Sequence, residues 1–361
     1  MGNIDSKRKL MMFGGVLGVF GALLAWMGNP KNMAICIACF IRDTAGAMKL
    51  HQAAAVQYVR PEIAGIVLGA FILSLVTREY RSTAGSSPMI RFLLGVIMMI
   101  GSLAFLGCPL RMVIRMAAGD LNAYVALIGF GLGTVTGTLA LKRGFSLGRA
   151  YGTRSYSGYI LPSILVVILI ASIVTGAMAV SEKGPGSMHA PVLISLAGGL
   201  AFGMVSQRCR TCFAGGFRDL FLMRNYDLLT IIGGFFVVML IYNMASGGFK
   251  LSFDGQPVAH SQHLWNILGM YAVGFAAVLA GGCPLRQLIL AGQGSSDSAV
   301  TFLGLFVGAA CCHNFGFAAA AAATESSPAV AGGLQGAGKA AVILCIAVLF
   351  AIGFVPRKEQ I

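Results

Sequence analysis

Charged residues are scarce in this 361-residue chain, because only 11% of its residues are Asp, Glu, Lys or Arg. Soluble proteins carry about 25% charged residues, whereas 57% of this chain is hydrophobic. One water-soluble core cannot hide that many apolar residues, so an ordinary soluble enzyme is excluded. A disordered chain is excluded as well, since disorder requires low hydrophobicity and high charge. What remains is an integral membrane protein that crosses the bilayer several times.

Acidic residues are the scarcer charge type, with 12 Asp and Glu against 26 Lys and Arg. In a membrane protein, basic residues collect in the cytoplasmic loops. The segment 142–158 is the clearest example, because it contains basic residues but no carboxylate. Placing this segment inside predicts a multi-pass protein of the cell inner (plasma) membrane with both termini cytoplasmic. Arginines elsewhere could instead bind an anionic substrate. Whether an arginine sets the orientation or binds an anion must be decided from its position in the sequence.

Ten apolar segments are bounded by charges or by clusters of Gly, Ser and Pro. Several are shorter than the roughly 20 residues of a straight span, which is typical of helices broken around a transport site. The predicted fold class is therefore all-α, a polytopic membrane protein of about ten spans with short re-entrant half-helices around a central path. The segments are 10–27, 63–76, 92–107, 121–140, 159–180, 191–205, 228–245, 266–281, 299–322 and 340–355.

Two cysteine motifs occur twice in the same order. The pentapeptide CIACF at 36–40 recurs as CRTCF at 209–213, and GCPLR at 107–111 recurs unchanged at 282–286. A shared pentapeptide together with a CxxCF pair makes chance an unsatisfactory explanation. The sequence therefore contains an internal repeat that carries its cysteines at matched sites.

The repeat divides the chain into residues 1–183 and residues 184–361, each with five apolar segments and both motifs. Because five is an odd number, the second half must enter the membrane from the opposite side. We therefore predict two inverted repeats that form one integrated transmembrane domain, an architecture common among transporters.

The motif Gly-Cys-Pro-Leu-Arg predicts the start of a short helix. Proline lacks an N–H group and suits the first helical position, with the cysteine as the cap. The positive end of such a helix favours an anion, and an arginine within a membrane indicates function by default. The residues predicted to support the helix ends are Gly107, Pro109, Gly282 and Pro284, and Leu290 stands where the first copy has Arg115.

The CxxC pairs leave three interpretations open: thiols along a substrate path, a redox pair, or metal ligands. We favour the path and predict neither a metal nor a cofactor. The predicted path thiols are Cys36, Cys39, Cys108, Cys209, Cys212 and Cys283. The arginines predicted to recruit an anion are Arg42, Arg111, Arg115, Arg218 and Arg286.

Several polar residues near the motifs predict structural roles. The Arg-Asp pairs at 42–43 and 218–219 predict internal ion pairs, and Asp120 and Asp297 predict caps on the spans that follow them. The HxxH sequence of His260 and His263 predicts a solvated loop rather than a metal site. For the Cys-Cys-His run at 311–313, packing is favoured over metal binding.

The repeated motifs resemble those of the YeeE/YedE family of sulfur-transport membrane proteins, and more narrowly the YedE-type proteins associated with selenium metabolism. The resemblance covers nearly the whole chain and rests on residues 36–43, 107–111, 209–219 and 282–286. It implies an hourglass of helices with cysteines along a central path. The path thiols that it implies here are Cys39, Cys108, Cys212 and Cys283.

The function expected from these patterns is a permease, not an enzyme, for a small anion that contains sulfur or selenium. Sulfur is soft and a thiol is a weak donor, so successive thiols could pass along a terminal sulfur or selenium atom. The alternatives are a membrane thiol-disulfide oxidoreductase or sulfur/selenium-transfer protein using the CxxC pairs, and a membrane scaffold. The expected partners are the anion, the lipid bilayer and a soluble sulfur or selenium carrier protein at the cytoplasmic face, with no nucleic acid.

Overall fold

The structure is a computed structural model that describes residues 2–322 and 332–355. Within these ranges the chain is helical almost throughout, which confirms the all-α prediction. Two-residue strands, β1 (Thr83–Ala84) and β2 (Tyr151–Gly152), form one small antiparallel pair, and Ser155–Tyr159 is a 3-10 helix. The α-helices are α1 (Gly2–Trp26), α2 (Ile37–Ala47), α3 (Pro61–Val76), α4 (Pro88–Phe105), α5 (Pro109–Ala117), α6 (Leu121–Lys142), α7 (Ile160–Thr175), α8 (Val192–Arg208), α9 (Phe213–Met223), α10 (Asp227–Ala245), α11 (His263–Leu279), α12 (Pro284–Gly292), α13 (Ser296–Asn314) and α14 (Gly336–Phe354).

Each of the ten predicted apolar segments lies on a helix. Among the described residues, 9 helical stretches are long and apolar enough to cross a membrane. The tenth segment is α3, whose 16 residues span about 24 Å at 1.5 Å per residue, short of a hydrocarbon core of about 30 Å. The protein is therefore a polytopic helical membrane protein, as the sequence predicts.

Three of the long stretches are broken helices. The pairs α4–α5, α8–α9 and α11–α12 each run through one apolar stretch, interrupted at 106–108, 209–212 and 280–283. The break after α4 is made by Leu106, whose φ of 62° is left-handed. These interruptions place three of the four cysteine motifs at the starts of short helices inside the helical bundle, and the fourth, at 36–40, lies at the start of α2 after a loop.

Within the described ranges, seven α-helices precede the loop 176–191 and seven follow it, and their packing is reciprocal. Helix α1 packs along α10 while α8 packs along α3, and α4 packs along α13 while α11 packs along α6. Helices α7 and α14 break this pattern, because α7 packs on α3 and α12 whereas α14 packs on α11, α6 and α4. The inverted repeat itself stays a prediction.

Glycines bring the two halves into backbone contact. A Cβ atom built on Gly133 of α6 would lie 2.1 Å from the carbonyl oxygen of Tyr271 on α11. A Cβ atom on Gly69 of α3 would lie equally close, at 2.1 Å, to the carbonyl oxygen of Leu200 on α8. Small residues that let helix backbones approach closely are typical of helix interfaces in membranes. The halves are therefore interlocked along several helix pairs.

The loops gather at two ends of the bundle. At one end Tyr80 binds the carbonyl of Ser155, Thr83 binds that of Gly294 and Gln207 binds Glu79, so this end contains the basic segment 142–158. At the other end Arg60 binds the carbonyls of Pro185 and Met188, and Asn314 binds that of Leu50. The first end is the one predicted to be cytoplasmic. Residues 356–361, which include the predicted cytoplasmic C-terminus, lie outside the described residues.

Candidate functional site

The first cluster of thiols is built where α2 and α5 begin. Cys36 caps α2, and its Sγ accepts a hydrogen bond from the Cys39 backbone N–H at 3.5 Å. Cys108 caps α5, with Pro109 at the first helical position as predicted. The Sγ atoms of Cys36 and Cys108 lie 3.7 Å apart, and all three thiols are buried. The structure thus brings together three of the predicted path cysteines.

Arg111 lies beside this first cluster and is fully buried. Its Nε donates to the Asn32 carbonyl at 2.8 Å, and its Nη2 donates to the Val258 carbonyl at 3.1 Å. Its Nη1 donates to the Leu106 carbonyl and, at 3.3 Å, to the Sγ of Cys39. Every nitrogen of the guanidinium group is therefore engaged by the protein, although no carboxylate neutralises its charge among the described residues.

The second cluster forms in the same way where α9 and α12 begin. Cys212 caps α9, and its Sγ accepts from the Gly215 N–H at 3.1 Å. Cys283 caps α12, and the two capping thiols interact with each other. Cys209 lies beside them, where its Sγ donates to the Val205 carbonyl at 2.9 Å.

The structure corrects the alignment of the two CxxC motifs. The sequence match pairs Cys36 with Cys209, but the helix caps pair Cys36 with Cys212. Two residues before each capping cysteine, Ala34 and Arg210 have left-handed φ values of 43° and 53°. The shift of register also brings the two Arg-Asp pairs, 42–43 and 218–219, into correspondence. Cys39 in the first half and Cys209 in the second half therefore have no cysteine at the equivalent position of the other half.

The Arg-Asp pairs form the ion pairs that the sequence predicts. Arg42 and Asp43 are 2.7 Å apart and buried, and Arg60 joins the same carboxylate at 2.8 Å. Arg218 and Asp219 are 2.8 Å apart in the second half. Two of the arginines predicted to recruit an anion thus already have a carboxylate partner.

Arg115 is a third predicted recruiter with a carboxylate partner. Its Nε lies 2.6 Å from Asp120, which caps α6 as predicted. The prediction for Asp297 is wrong, because Ser295 caps α13. Asp297 instead accepts a hydrogen bond at 2.6 Å from the hydroxyl of Ser86, which lies in the loop between α3 and α4.

A broken helix leaves backbone carbonyls without partners, and at membrane depth these need partners from the protein. After α4, Arg115 binds the Phe105 carbonyl at 2.7 Å and Arg111 binds that of Leu106. After α11, Gln287 takes this role and binds the carbonyls of Ala280 and Gly282, each at 3.1 Å. Sequence reasoning missed Gln287, although it follows the second GCPLR directly.

His260 lies in the loop before α11 and contacts the end of the broken helix α4. The prediction of a solvated HxxH loop is therefore wrong for this residue. It is 1% exposed, and its Nε2 lies 2.8 Å from the Ala104 carbonyl. The Gln262 N–H points to the other ring nitrogen at 3.3 Å, so Nε2 carries the proton. Burial lowers the pKa of His260 to about 4.

The two glycines of the GCPLR motifs make room for the arginine side chains. A Cβ atom on Gly107 would lie 2.9 Å from the Cδ of Arg111, and one on Gly282 would lie 2.7 Å from the Cγ of Arg286. Each arginine thus folds back over the residue that precedes the capping cysteine. The atoms that lie closest to each glycine therefore belong to the arginine of the same motif.

The remaining candidates lie apart from the thiol clusters. The ring of His51 lies 4.5 Å from that of His313, beside an open polar cavity of about 540 Å³ lined also by Lys49 and Asn314. Burial lowers the pKa of His51, whose Nε2 contacts the Arg42 carbonyl. Within 2–322 and 332–355, no group of three or more His, Cys, Asp or Glu side chains could hold a metal ion.

Comparison with known proteins agrees with the motifs. Residues 208–360 match the family model described as sulphur transport. The thiosulfate transporter TsuA of Escherichia coli strain K12 is 29% identical over 111 residues, which are 30% of this chain and 30% of that protein. The thiosulfate transporter TsuA of Spirochaeta thermophila is 31% identical over 111 residues, 30% of this chain and 32% of that protein. The aligned segments thus span about a third of each relative. These matches confirm the resemblance to the YeeE/YedE family of sulfur-transport membrane proteins that the repeated motifs predicted.

Proposed function

We propose that this chain is a membrane transporter for a small sulfur-containing anion. The observation that carries the proposal is the charge of the two thiol clusters. Arg111 is buried beside one cluster and Arg286 lies beside the other, and neither forms an ion pair with a carboxylate in the described part of the chain. Both relatives are thiosulfate transporters, which supports the same substrate class.

An unneutralised arginine in a low-dielectric site is costly, and an anion that binds there would offset the cost. The starts of α2, α5, α9 and α12 add the positive ends of four helices to the same two regions. Sulfur in the thiols is polarizable and interacts well with the soft terminal sulfur of a thiosulfate-like ion. The combination favours a soft anion over a hard cation.

We propose that the path runs between two equivalent constrictions, which inverted repeats would place toward opposite faces. One constriction is the thiol pair Cys36 and Cys108, and the other is Cys212 and Cys283. Cys39 lies beside the first pair, and Cys209 lies beside the second. Arg42, Arg115 and Arg218, which already have carboxylate partners, would act through the local potential rather than by direct contact.

The finer assignments belong to the same proposal. The substrate is thiosulfate or a selenium oxyanion, and the location is the cell inner membrane with both termini cytoplasmic. A soluble sulfur or selenium carrier protein would receive the transported anion at the end of the bundle that contains the basic segment 142–158. The basic charge of that segment supports this placement, because positive residues flank spans on the cytoplasmic side.

Uptake into vesicles tests the transport proposal. The protein would be reconstituted into liposomes, and entry of labelled thiosulfate, sulfite, selenite and selenate would be followed. We expect saturable uptake of at least one of these anions, and a loss of at least tenfold in a Cys108→Ala, Cys283→Ala double variant. Cys345→Ala, a buried thiol on α14 outside both clusters, is the matched control and should keep wild-type uptake.

Two results would contradict the proposal. Absence of uptake of all four anions by the folded wild-type protein would exclude the transport function. Full uptake by the double variant would exclude the thiol path while leaving the transport function in place.

A further inference from the structure

The loop that joins α10 to α11 is anchored at two places, with a short segment between them. At one anchor the Nδ2 of Asn122 donates to the Phe253 carbonyl at 2.7 Å. At the other the Ala322 N–H donates to the Ala259 carbonyl, also at 2.7 Å. Residues 254–258 lie between these anchors, and we call them the flap. Because both of its ends are fixed, a movement of the flap would leave the rest of the loop in place.

Two hydrogen bonds hold the flap against the first thiol cluster. The Nη2 of Arg111 donates to the Val258 carbonyl at 3.1 Å. The Nδ2 of Asn32 donates to the Pro257 carbonyl, also at 3.1 Å. Within 2–322 and 332–355, these are the hydrogen bonds that join the flap to residues outside its own loop. The Nη1 of Arg111 donates to the Sγ of Cys39 at 3.3 Å, so the flap lies one guanidinium group away from a path thiol.

One residue of the flap has a strained backbone. Val258 has a left-handed φ of 50°, which is a genuine outlier for a β-branched residue. Such a conformation persists only where the surrounding structure imposes it. The carbonyl of Val258 is the group that Arg111 binds, so loss of this hydrogen bond would let the flap relax away from the thiols.

The flap lies at the end of the bundle opposite segment 142–158. Asn32 lies in the same loop as Asn29, which accepts a hydrogen bond at 3.0 Å from the N–H of Ala190. Ala190 belongs to the loop before α8, which lies at that end. The thiols of the first cluster are buried, whereas Pro257 on the flap is exposed. The flap therefore lies between the first cluster and the solution at this end.

We propose that the flap is an entrance gate, which the transported anion opens by taking the Nη2 of Arg111 from the Val258 carbonyl. The inference rests on the proposed function in one respect, since the ligand is taken to be the transported anion. A guanidinium group binds an oxyanion more strongly than it binds a neutral carbonyl, because both partners are then charged and the hydrogen bonds can be paired. The Nη2 donor becomes available when the flap opens, so the anion binds the open state better and shifts the gate toward it.

Alkylation of Cys39 by N-ethylmaleimide tests whether the flap closes the cluster. The purified full-length protein would be treated in detergent without substrate, and the rate would be followed by peptide mass spectrometry. Asn32→Ala removes the hydrogen bond to Pro257, and we expect it to raise the alkylation rate of Cys39 at least fivefold. Asn314→Ala is the matched control, because it removes an asparagine hydrogen bond to the Leu50 carbonyl at the same end of the bundle. Equal rates in the two variants would overturn the gate.

A second pair of variants leaves the buried Asn32 in place and depends on the strain of the flap. Val258→Ala and Val258→Gly differ by one Cβ atom, and glycine adopts a left-handed φ without steric cost. The closed flap should therefore be more stable in Val258→Gly, in which Cys39 should be alkylated at least threefold more slowly than in Val258→Ala. Size-exclusion profiles check that all four variants fold. Equal rates in the Val258 variants would show that the closed flap is not strained and would overturn the gate.

Hydrogen–deuterium exchange of the flap tests the anion as the trigger. Sodium thiosulfate should speed the exchange of residues 254–258 at least threefold in the wild-type protein, compared with sodium chloride at the same ionic strength. Unchanged or slower exchange in a protein that transports thiosulfate into liposomes would overturn the gate and leave the transporter in place. Absence of transport would overturn the proposed function, whereas the alkylation rates, measured without substrate, would still decide whether the flap closes the cluster.

Discussion

At the scale of single residues, one glycine in each GCPLR motif decides where an arginine side chain lies. Arg111 is fixed by hydrogen bonds from all its nitrogens, so it cannot move away from a Cβ atom on Gly107. Arg286 has a free Nη1 and can adjust to a Cβ atom on Gly282. We therefore expect Gly107→Ala to destabilise the protein by about 1–3 kcal/mol, and Gly282→Ala to cost clearly less.

Thermal melting of the two variants in one detergent measures this difference. Gly282→Ala is the matched comparison, because the motif around it is identical in sequence. An equal loss of stability in both variants would show that the hydrogen bonds of Arg111 do not restrain its side chain.

His260 gives a pH dependence at the same scale. Burial lowers its pKa to about 4, below the 6.5 of an ordinary histidine, so the folded state favours the neutral ring. The unfolded chain therefore binds more protons between pH 6.5 and 4, and stability is complete above pH 6.5 and falls as the pH drops through this window. Melting temperatures measured from pH 7.5 to 4.5 should fall less steeply in His260→Gln than in the wild type. The exposed His263→Gln is the control and should keep the wild-type slope; a shared slope for all three proteins would contradict the prediction.

At the scale of elements, helix α6 shows how closely two helices of different halves approach. A Cβ atom on Gly133 would lie 2.1 Å from the Tyr271 carbonyl oxygen, whereas one on Gly131 meets nothing within 4 Å. Gly131→Ala should therefore stabilise the helix by about 0.5–1 kcal/mol. Gly133→Ala must push α6 away from α11 and should cost about 1–3 kcal/mol.

The folded fraction that survives heating, followed by size-exclusion chromatography, compares the two variants of α6. They differ by two positions on one helix, so each serves as the control for the other. Similar stability in both variants would mean that α6 and α11 separate without cost.

The sequence also determined where several elements begin, but it misaligned others. Proline at 109 and 284 fixes the first turn of α5 and α12, because proline lacks the N–H that a helix start leaves unpaired. The CxxC alignment was wrong because spacing alone cannot tell which cysteine caps a helix. That choice depends on the backbone: Cys36 and Cys212 each accept an N–H three residues ahead.

At the scale of the whole molecule, the two halves are interlocked along α1 and α10, α3 and α8, α4 and α13, and α6 and α11. Backbones in contact at glycines leave no space for one half to rock against the other without losing those contacts. We therefore expect transport to involve the short helices that carry the thiols, while the halves keep their relative position.

A disulfide between the halves tests this expectation. A Cβ atom on Gly15 of α1 would lie 3.6 Å from the Cγ2 of Val238 on α10, so cysteine side chains at these two positions would face each other across the helix pair. The Gly15→Cys, Val238→Cys variant, oxidised and checked by mass spectrometry, should retain at least half of the thiosulfate uptake of its reduced form. The same variant under reduction and the oxidised wild-type protein are the controls, because the thiols of Cys36 and Cys108 lie 3.7 Å apart and can themselves oxidise. Loss of uptake on oxidation of the variant but not of the wild type, restored by reduction, would demonstrate that the halves move against each other.

The sequence by itself determined the membrane class, the ten apolar segments and the paired cysteine motifs, because hydropathy and proline act locally along the chain. It also gave the ion pairs of 42–43 and 218–219, whose members are neighbours in sequence. Only the tertiary structure decided that every nitrogen of Arg111 is hydrogen-bonded while the Nη1 of Arg286 has no partner in the described part of the chain. That outcome depends on carbonyls from residues far apart in the chain, such as Asn32 and Val258 around Arg111, and on Gln287 taking up the carbonyls beside Arg286.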